Sequence, residues 1–208
     1  MPELQTLASF FAASIILGLS PGPDNLFVLL HAAANGRKAG MLVVLGLCSG
    51  ILLHTAAVAL GLAALFATSA IAFDALKLVG AGYLVFLAWQ SLRAPATAGF
   101  GHAATGLNAR QSYLRGILMN VSNPKVALFF LAFLPQFVDP GRGGVWLQTL
   151  CLGGAFIAAT LLVFGAIAYF SAAIGQRLRR SIRMQRALHW GAALVFVLLA
   201  VRLLTAQR

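Results

Sequence analysis

Six long runs of apolar residues, separated by short polar stretches, dominate the chain. An α-helix needs about 20 apolar residues to cross the roughly 30 Å hydrocarbon core of a bilayer. The runs predict six transmembrane helices, at residues 4–34, 40–67, 71–92, 113–138, 145–175 and 187–206. The pattern therefore predicts an all-α integral membrane protein, in which prolines break the first and fourth helices internally.

The longest polar stretch is rich in Gly, Ala and Pro and divides the apolar runs into two sets of three. It predicts a first three-helix repeat over residues 1–92, a linker over 93–112 and a second three-helix repeat over 113–208. Both repeats would belong to one integral membrane domain.

The two proline-containing breaks resemble each other. The segment "SPGPDNLFVL" begins at Ser20 and "SNPKVALFFL" begins at Ser122, and they align without a gap. Three spans per half make the second copy run opposite to the first, which predicts a 3+3 inverted repeat. Paired interrupted helices in such repeats point to a transport site near the bilayer midplane. The alternative is that the prolines only kink packed helices.

Composition places the chain in lipid rather than in water. It is 61% hydrophobic and only 9% charged, whereas soluble domains carry about 25% charged residues. The 15 Lys and Arg residues against 4 Asp and Glu residues give a formal net charge of +11. Because the basic residues lie in short loops and not along a polar stripe, we expect no nucleic-acid partner.

The basic residues also predict an orientation. If each span crosses once, one side of the membrane holds ten of them and the other side holds four, with Lys125 left between. The first group is Arg37, Lys38, Arg93, Arg110, Arg115, Arg177, Arg179, Arg180, Arg183 and Arg186, and the second is Lys77, Arg142, Arg202 and Arg208. The positive-inside rule then places the 93–112 linker in the cytoplasm and both termini outside.

Breaking a helix in lipid exposes backbone groups that must line a cavity or be buried in protein. The free N–H end of a half-helix favours a carboxylate, and the free C=O end favours an ammonium group. A zwitterionic amino acid presents both charges, so the breaks predict an amino-acid site. The candidate substrate-binding residues are Ser20, Pro21, Gly22, Pro23, Asp24, Asn25, Asn120, Ser122, Asn123, Pro124 and Lys125.

Three ionisable side chains are candidates for binding a charged group or for proton coupling. Asp24 opens a half-helix and is either a helix cap or a proton-coupling carboxylate. Lys125 has the wrong charge for a helix N-terminus, so an anionic group should compensate it unless its side chain reaches the interface. His54, in the second apolar run, is either a packed core residue or a second proton-coupling group.

These stretches resemble the lysine exporter (LysE/RhtB) family of bacterial amino-acid translocators. The resemblance rests on "SPGPDNLFVLLHAAANGRKAG" (20–40), "GLCSGILLHTAAVALGLAALF" (46–66), "LKLVGAGYLVFLAWQSLR" (76–93) and "GILMNVSNPKVALFFLAFLPQFV" (116–138). It implies efflux of amino acids across the bacterial cytoplasmic (inner) membrane, driven by the proton motive force. Some members carry an acid in the second span, where this chain has His54.

Other functions remain alternatives at this stage. Cys48 and Cys151 lie in spans two and five, where a membrane thiol or electron relay would need them, and a small-solute channel also uses an inverted repeat. Too few ligating residues lie at the midplane for a metal site, and we expect no cofactor and no enzymatic activity. The partners expected are an amino acid, protons and lipid. The amino acid exported (homoserine- or threonine-like, another neutral or basic one, or a derivative) and a homodimer are left open.

Overall fold

The computed structural model of the chain describes residues 2–68, 70–93, 106–171 and 182–205. Every element in these ranges is helical, which confirms the predicted all-α class. The α-helices are α1 (Leu4–Leu19), α2 (Pro23–Asn35), α3 (Arg37–Thr68), α4 (Ala70–Arg93), α5 (Ala109–Val121), α6 (Pro124–Leu128), α7 (Val145–Tyr169) and α8 (Ile182–Thr205). A π-helical segment (Phe129–Phe133) and a 3₁₀ segment (Leu134–Phe137) follow α6, and a 3₁₀ turn (Pro140–Arg142) precedes α7.

Three of these helices are by themselves long and apolar enough to cross a membrane, at Arg37–Gly61, Val145–Tyr169 and Gln185–Thr205. Two bent pairs, α1 with α2 and α5 with the segment that begins at α6, would raise the number of candidate spans to five. The predicted span at 71–92 coincides with α4, which is not among these candidates. A membrane protein is therefore supported, and the count of six spans stays a prediction.

Both bends lie at the proline motifs and have the same local cause. The axes of α1 and α2 differ by 64°, and those of α5 and the following segment differ by 49°. Gly22 and Asn123 each precede a proline at the first position of a helix and have extended ψ angles of 177° and 107°. Proline disfavours the helical conformation in the residue before it and is well suited to the first helical position. The chain therefore stops one helix and starts another at each motif.

The half-helix after the second break is less regular than the one after the first break. Whereas α2 continues for 13 residues, α6 continues for 5 residues before the π-helical and 3₁₀ segments. Pro135 cannot donate the backbone hydrogen bond that a continued α-helix requires. Aromatic rings pack around this stretch: Phe129 lies 4.7 Å from Phe133 and 5.3 Å from Phe156, between ring centroids.

Four contacts between helices account for most of the packing among the described residues. α3 lies against α5 and α7, α4 lies against α8, and α1 lies against α7. The crossing of α3 and α5 is tight, because a Cβ placed on Gly46 would lie 2.9 Å from the Cα atom of Gly116. These two glycines therefore bring the backbones of the two helices together. Gly61, also in α3, differs from Gly46 because a Cβ at that position would meet no other atom within 4 Å.

Side-chain contacts group the described basic residues at two ends of the bundle. At one end, Arg142 pairs with Glu3 at the start of α1, and Arg202 lies 4.7 Å from the ring of Phe137. At the other end, Arg37 lies 4.2 Å from the ring of Tyr169. Arg142 and Arg202 belong to one predicted group and Arg37 to the other, and the side of the membrane that each group faces stays a prediction.

Several predictions fall on other parts of the chain. Most of the linker (94–105) and much of the basic loop after α7 (172–181) lie outside the described residues. The part of the linker that is described is already helical at its end, since α5 begins at Ala109. Asn108 and Gln111 form a reciprocal capping box there, each side chain accepting from the other's backbone N–H, which fixes the start of that helix.

Candidate functional site

The two helix breaks meet at a buried cavity of about 20 Å³. Its lining residues come from α1, α2, α3, α5, α6 and α7, and they are Leu17, Gly18, Asp24, Leu47, Asn120, Lys125, Val126, Phe156, Thr160 and Phe164. A cavity of this size has room for about one water molecule. The structure thus brings Asp24, Asn120 and Lys125, three of the predicted site residues, to one enclosed space.

Lys125 lies in the first turn of α6, and its side chain crosses to the end of α1. Its ammonium nitrogen donates to the backbone carbonyl oxygens of Ser20, at 3.1 Å, and Leu17, at 3.3 Å. The residue is 8% exposed. The carbonyl end of a helix carries negative partial charge. It therefore supplies the compensation that the position of Lys125 required.

Asp24 is connected to the second break through an amide. Its Oδ2 atom accepts a hydrogen bond of 2.6 Å from Nδ2 of Asn123, and Oδ1 of Asn123 accepts from the backbone N–H of Lys125 at 3.0 Å. Asn123 thus caps α6 and holds the carboxylate at the same time. Asp24 and Lys125, both described, form no direct ion pair, and their charges are linked through Asn123 and the cavity.

The end of α1 has a second donor. Asn25, in the first turn of α2, donates from Nδ2 to the carbonyl oxygen of Gly18 at 2.6 Å. Gly22 lies beside the lysine, since a Cβ at that position would be 3.2 Å from Nζ of Lys125. A larger residue at Gly22 would press on the ammonium group. The glycine of the first motif is thus explained by the space that the Lys125 ammonium takes up.

Several buried polar atoms near the cavity have no hydrogen-bond partner in the structure. They are Ser20 Oγ, Asp24 Oδ1, Asn25 Oδ1 and Asn120 Oδ1. Buried polar atoms are normally paired, and leaving one unpaired costs about 1–3 kcal/mol. Two of these atoms, on Asp24 and Asn120, belong to residues that line the cavity, which marks it as a place that is suited to a polar ligand or to water.

Asn120 is held at the cavity by a close contact between helices. A Cβ at Gly50 of α3 would lie 2.7 Å from Oδ1 of Asn120, so the glycine makes room for the amide. His54, one turn further along α3, lies outside the cavity lining and contacts the backbone oxygen of Asn120 at 3.2 Å through Nε2. His54 is therefore adjacent to the site and touches it through the backbone.

The remaining predicted residues shape the breaks without lining the cavity. Ser122 is exposed, and its hydroxyl donates back to the carbonyl of Leu118 at 2.7 Å. Pro21, Pro23 and Pro124 contribute backbone geometry. None of these four residues belongs to the cavity lining.

The site residues predicted from the sequence include none of the apolar lining and lack one polar lining residue. Phe156, Thr160 and Phe164 come from one face of α7, at four-residue spacing. Thr160, which is 5% exposed, interrupts the run "AFIAATLLVF", and a polar residue inside a membrane span is the signal that could have found it. The apolar residues carry no such signal, because lipid-facing and cavity-facing apolar residues have the same sequence pattern.

His31 lies in a second buried polar contact, outside the cavity lining. It is fully buried between α2 and α5, where Nε2 lies 3.0 Å from the hydroxyl of Ser112 and Nδ1 lies 3.2 Å from Nδ2 of Asn35. Its ring stacks on Phe27 at 5.3 Å. These contacts join the two helices away from the cavity.

The two cysteines occupy packing positions on different helices. Cys48 is buried among apolar residues of α2, α3 and α7, and Cys151 is half-buried on α7, both as free thiols. In the described part of the chain, no group of three or more His, Cys, Asp or Glu residues is arranged to hold a metal ion. Neither observation favours the thiol relay over transport.

Comparison with known proteins identifies the family. Residues 15–207 match the model of the LysE type translocators. The chain is 33% identical to an uncharacterized membrane protein of Pseudomonas aeruginosa, over 90% of this chain and 89% of that protein. It is 30% identical to an uncharacterized membrane protein of Vibrio cholerae, over 88% and 89% of the two chains.

A third relative has a functional name. The chain is 29% identical to a homoserine/homoserine lactone efflux protein of Salmonella typhi, over 96% of both chains. No solved structure matches the chain. The broken helices, the buried charged cavity and a family match that spans nearly the whole sequence agree with the resemblance predicted above, and the chain belongs to the LysE type translocator family.

Proposed function

We propose that this protein is a secondary transporter that exports amino acids across the bacterial cytoplasmic membrane by proton antiport. The observation that carries the proposal is the meeting of the two breaks, where Asp24, Lys125 and the carbonyl end of α1 lie around one cavity. Groups that complement both charges of an amino acid are thus present within one site. The efflux relative of Salmonella typhi supports the direction of transport and a substrate such as homoserine or its lactone.

The proposed substrate orientation follows from the charges. The carboxylate of the amino acid is directed toward the ammonium of Lys125, and its ammonium group is directed toward Asp24, whose Oδ1 atom is unpartnered. The apolar lining from α3, α6 and α7 receives the side chain. Since a cavity of about 20 Å³ holds about one water, the helices must separate before an amino acid can enter.

Proton coupling is assigned to Asp24, with His54 as a second candidate. A charged carboxylate inside a membrane span is costly unless it is paired, and Asp24 is 4% exposed with one paired oxygen. Proton uptake by Asp24 from outside would release the ammonium of the substrate, and proton release to the cytoplasm would restore the site.

The proposed architecture is six spans in a 3+3 inverted repeat with both termini outside. An exchange of the two halves would relate α1 to α5, α3 to α7 and α4 to α8. It would map the α3–α7 and α4–α8 contacts onto themselves and the α3–α5 contact onto the α7–α1 contact. All four contacts are present among the described helices. Such a repeat supports alternating access, in which one half rocks against the other around a fixed site.

The proposal is tested by reconstituting the purified protein in proteoliposomes loaded with radiolabelled amino acids. We expect efflux of a subset of the panel to be stimulated by an imposed proton gradient and abolished by an uncoupler. A matched preparation of the Asp24→Asn variant is the control for protein-dependent leak. Absence of any amino-acid flux by wild-type protein would overturn the proposed function, and flux that ignores the proton gradient would overturn the antiport mechanism alone.

A further inference from the structure

The carbonyl end of α1 already holds a cation. The carbonyl oxygens of Leu17 and Ser20 converge there on a primary ammonium group, the side chain of Lys125. Asp24 belongs to the same cavity lining. The residue is only 4% exposed, and its Oδ1 atom has no hydrogen-bond partner. The two carbonyl oxygens satisfy two of the three donors of this ammonium. The carboxylate of Asp24 forms no ion pair with it and is an acceptor left for a substrate ammonium.

We propose that this is the binding site for the substrate's ammonium group and that Lys125 occupies it as an internal surrogate of the substrate. This inference rests on the proposed function and adds a step to it. An arriving amino acid displaces the lysine ammonium from Leu17 and Ser20 and receives it on its own carboxylate. Lys125 therefore has two positions, one that holds the broken end of α1 and one that binds substrate.

The surrounding residues fit a site that is closed on the lysine. The cavity of about 20 Å³ is far smaller than an amino acid, and Gly22 leaves just enough room beside Nζ, at 3.2 Å from a Cβ placed there. Without a cation, the carbonyl oxygen of Ser20 would lose this partner, and that of Leu17 would keep only the backbone N–H of Ser20 at 3.2 Å. Such a loss is unfavourable inside a membrane span. Lys125 satisfies both oxygens until a substrate ammonium replaces it.

The exchange also explains a requirement for both charges in the substrate. A primary amine without a carboxylate can compete for the carbonyl site, but it gives the displaced ammonium of Lys125 no new partner. An amino acid supplies that partner. Selection for a zwitterion over a simple amine thus follows from the displaced lysine, since an unpaired buried charge is strongly disfavoured.

The first test replaces the lysine side chain with a free amine and needs no transport. Lys125→Ala removes three carbons and the nitrogen, which n-propylammonium restores. We expect n-propylammonium chloride to raise the melting temperature of the purified Lys125→Ala variant in a concentration-dependent manner, and neutral 1-propanol to have no such effect. The Lys38→Ala variant, which changes an exposed lysine, and the wild type are the controls at equal chloride concentration.

A stabilisation specific to Lys125→Ala supports the proposal, and so does recovery of folded variant only when n-propylammonium is present during purification. Equal responses of all three proteins would overturn it, as would a variant that n-propylammonium does not stabilise. Because this readout uses no amino-acid flux, the inference can fail while the proposed export is confirmed.

The second test uses Lys125→Met, which retains an apolar stem. The ratio of the affinity for a carboxylate-free primary amine to that for the transported amino acid should rise roughly tenfold or more over wild type. The amine loses its competitor, whereas the amino acid loses the partner of its carboxylate. An unchanged ratio, measured by competition binding, would overturn the surrogate role of Lys125.

Discussion

At the scale of single residues, Asp24 and Lys125 line the same cavity but form no direct ion pair. Asn123 connects them, by donating to Asp24 at 2.6 Å and capping the helix that carries Lys125. A change in the charge of Asp24 would alter a hydrogen bond to the residue that caps α6. The two residues should therefore act as one unit, which substitutions can test.

We expect Asp24→Asn to abolish proton-driven export while part of the substrate exchange survives. The amide keeps the shape of the side chain and some capacity to accept from Asn123, but it cannot take up and release the proton. Flux driven by a proton gradient and substrate–substrate exchange, measured in the same proteoliposomes, separate the two activities. Normal gradient-driven export by the variant would show that Asp24 is only a helix cap.

Lys125→Met should mainly weaken the affinity for the amino acid, by roughly 10- to 150-fold, because a hydrogen bond to a charged group is worth about 1.5–3 kcal/mol. The double variant with Asp24→Asn should be no worse than the poorer single variant, since coupled residues give non-additive effects. Equilibrium binding of labelled substrate measures both. Fully additive losses would mean that the two residues act separately.

The cysteines give a prediction that separates transport from a thiol relay. The double variant Cys48→Ala, Cys151→Ala should retain transport close to the wild-type rate, because both side chains occupy packing positions. A fluorescence-detected elution profile checks that the variant is folded. Complete loss of function in a folded double variant would instead favour redox chemistry.

At the scale of elements, close approach of α3 to α5 positions the site. Gly46 and Gly116 touch at the crossing, and Gly50 leaves space for the Asn120 side chain, whose Oδ1 atom lies 2.7 Å from the position of a Cβ. A small residue at each point lets the interrupted helix α5 approach α3. Because α3 and α5 lie so close together, the amide of Asn120 reaches the cavity.

Gly50→Ala should therefore strongly reduce transport by displacing Asn120, although the protein still inserts in the membrane. Gly61→Ala is the matched control on the same helix, because a Cβ at that position meets no other atom within 4 Å. It should leave transport unchanged and, since glycine is a poor helix former, leave the melting temperature equal or higher. Equal transport by both variants would show that the Gly50–Asn120 contact is not required.

At the scale of the whole molecule, the orientation in the membrane stays a prediction. Glu3 and Arg142, which the sequence assigned to the same side, are in contact, and Arg37 of the other predicted group contacts Tyr169. Experiments on intact cells can then determine which end faces the cytoplasm.

A cysteine introduced in place of Arg110, in the variant without Cys48 and Cys151, should react with a membrane-impermeant thiol reagent only after the cytoplasm is made accessible. Leu4→Cys is the opposite-side control, because Leu4 is 82% exposed near the other end. It should react from outside in intact spheroplasts. Labelling of Arg110→Cys from outside would contradict the orientation.

The helical class and the positions of both breaks could be predicted from the sequence for local reasons. The apolar runs are long enough for membrane helices, and a proline acts on its own residue and on the one before it. The irregular continuation of α6 was less predictable. Phe129–Phe133 has a uniform apolar pattern, and its π-helical form accompanies aromatic packing against Phe10 and Phe156 from other helices.

The sequence by itself determined that the chain breaks two apolar helices and places an acid and a base beside the breaks. Their burial follows from the structure. Only the tertiary structure decided which groups those charges contact. Lys125 donates to carbonyls 105 and 108 residues away, and Asn123 donates to Asp24 across 99 residues. Hydrophobic periodicity and proline chemistry act over a few neighbouring residues. The partner of a buried charge is fixed instead by which helices pack together and by the small residues that let them approach.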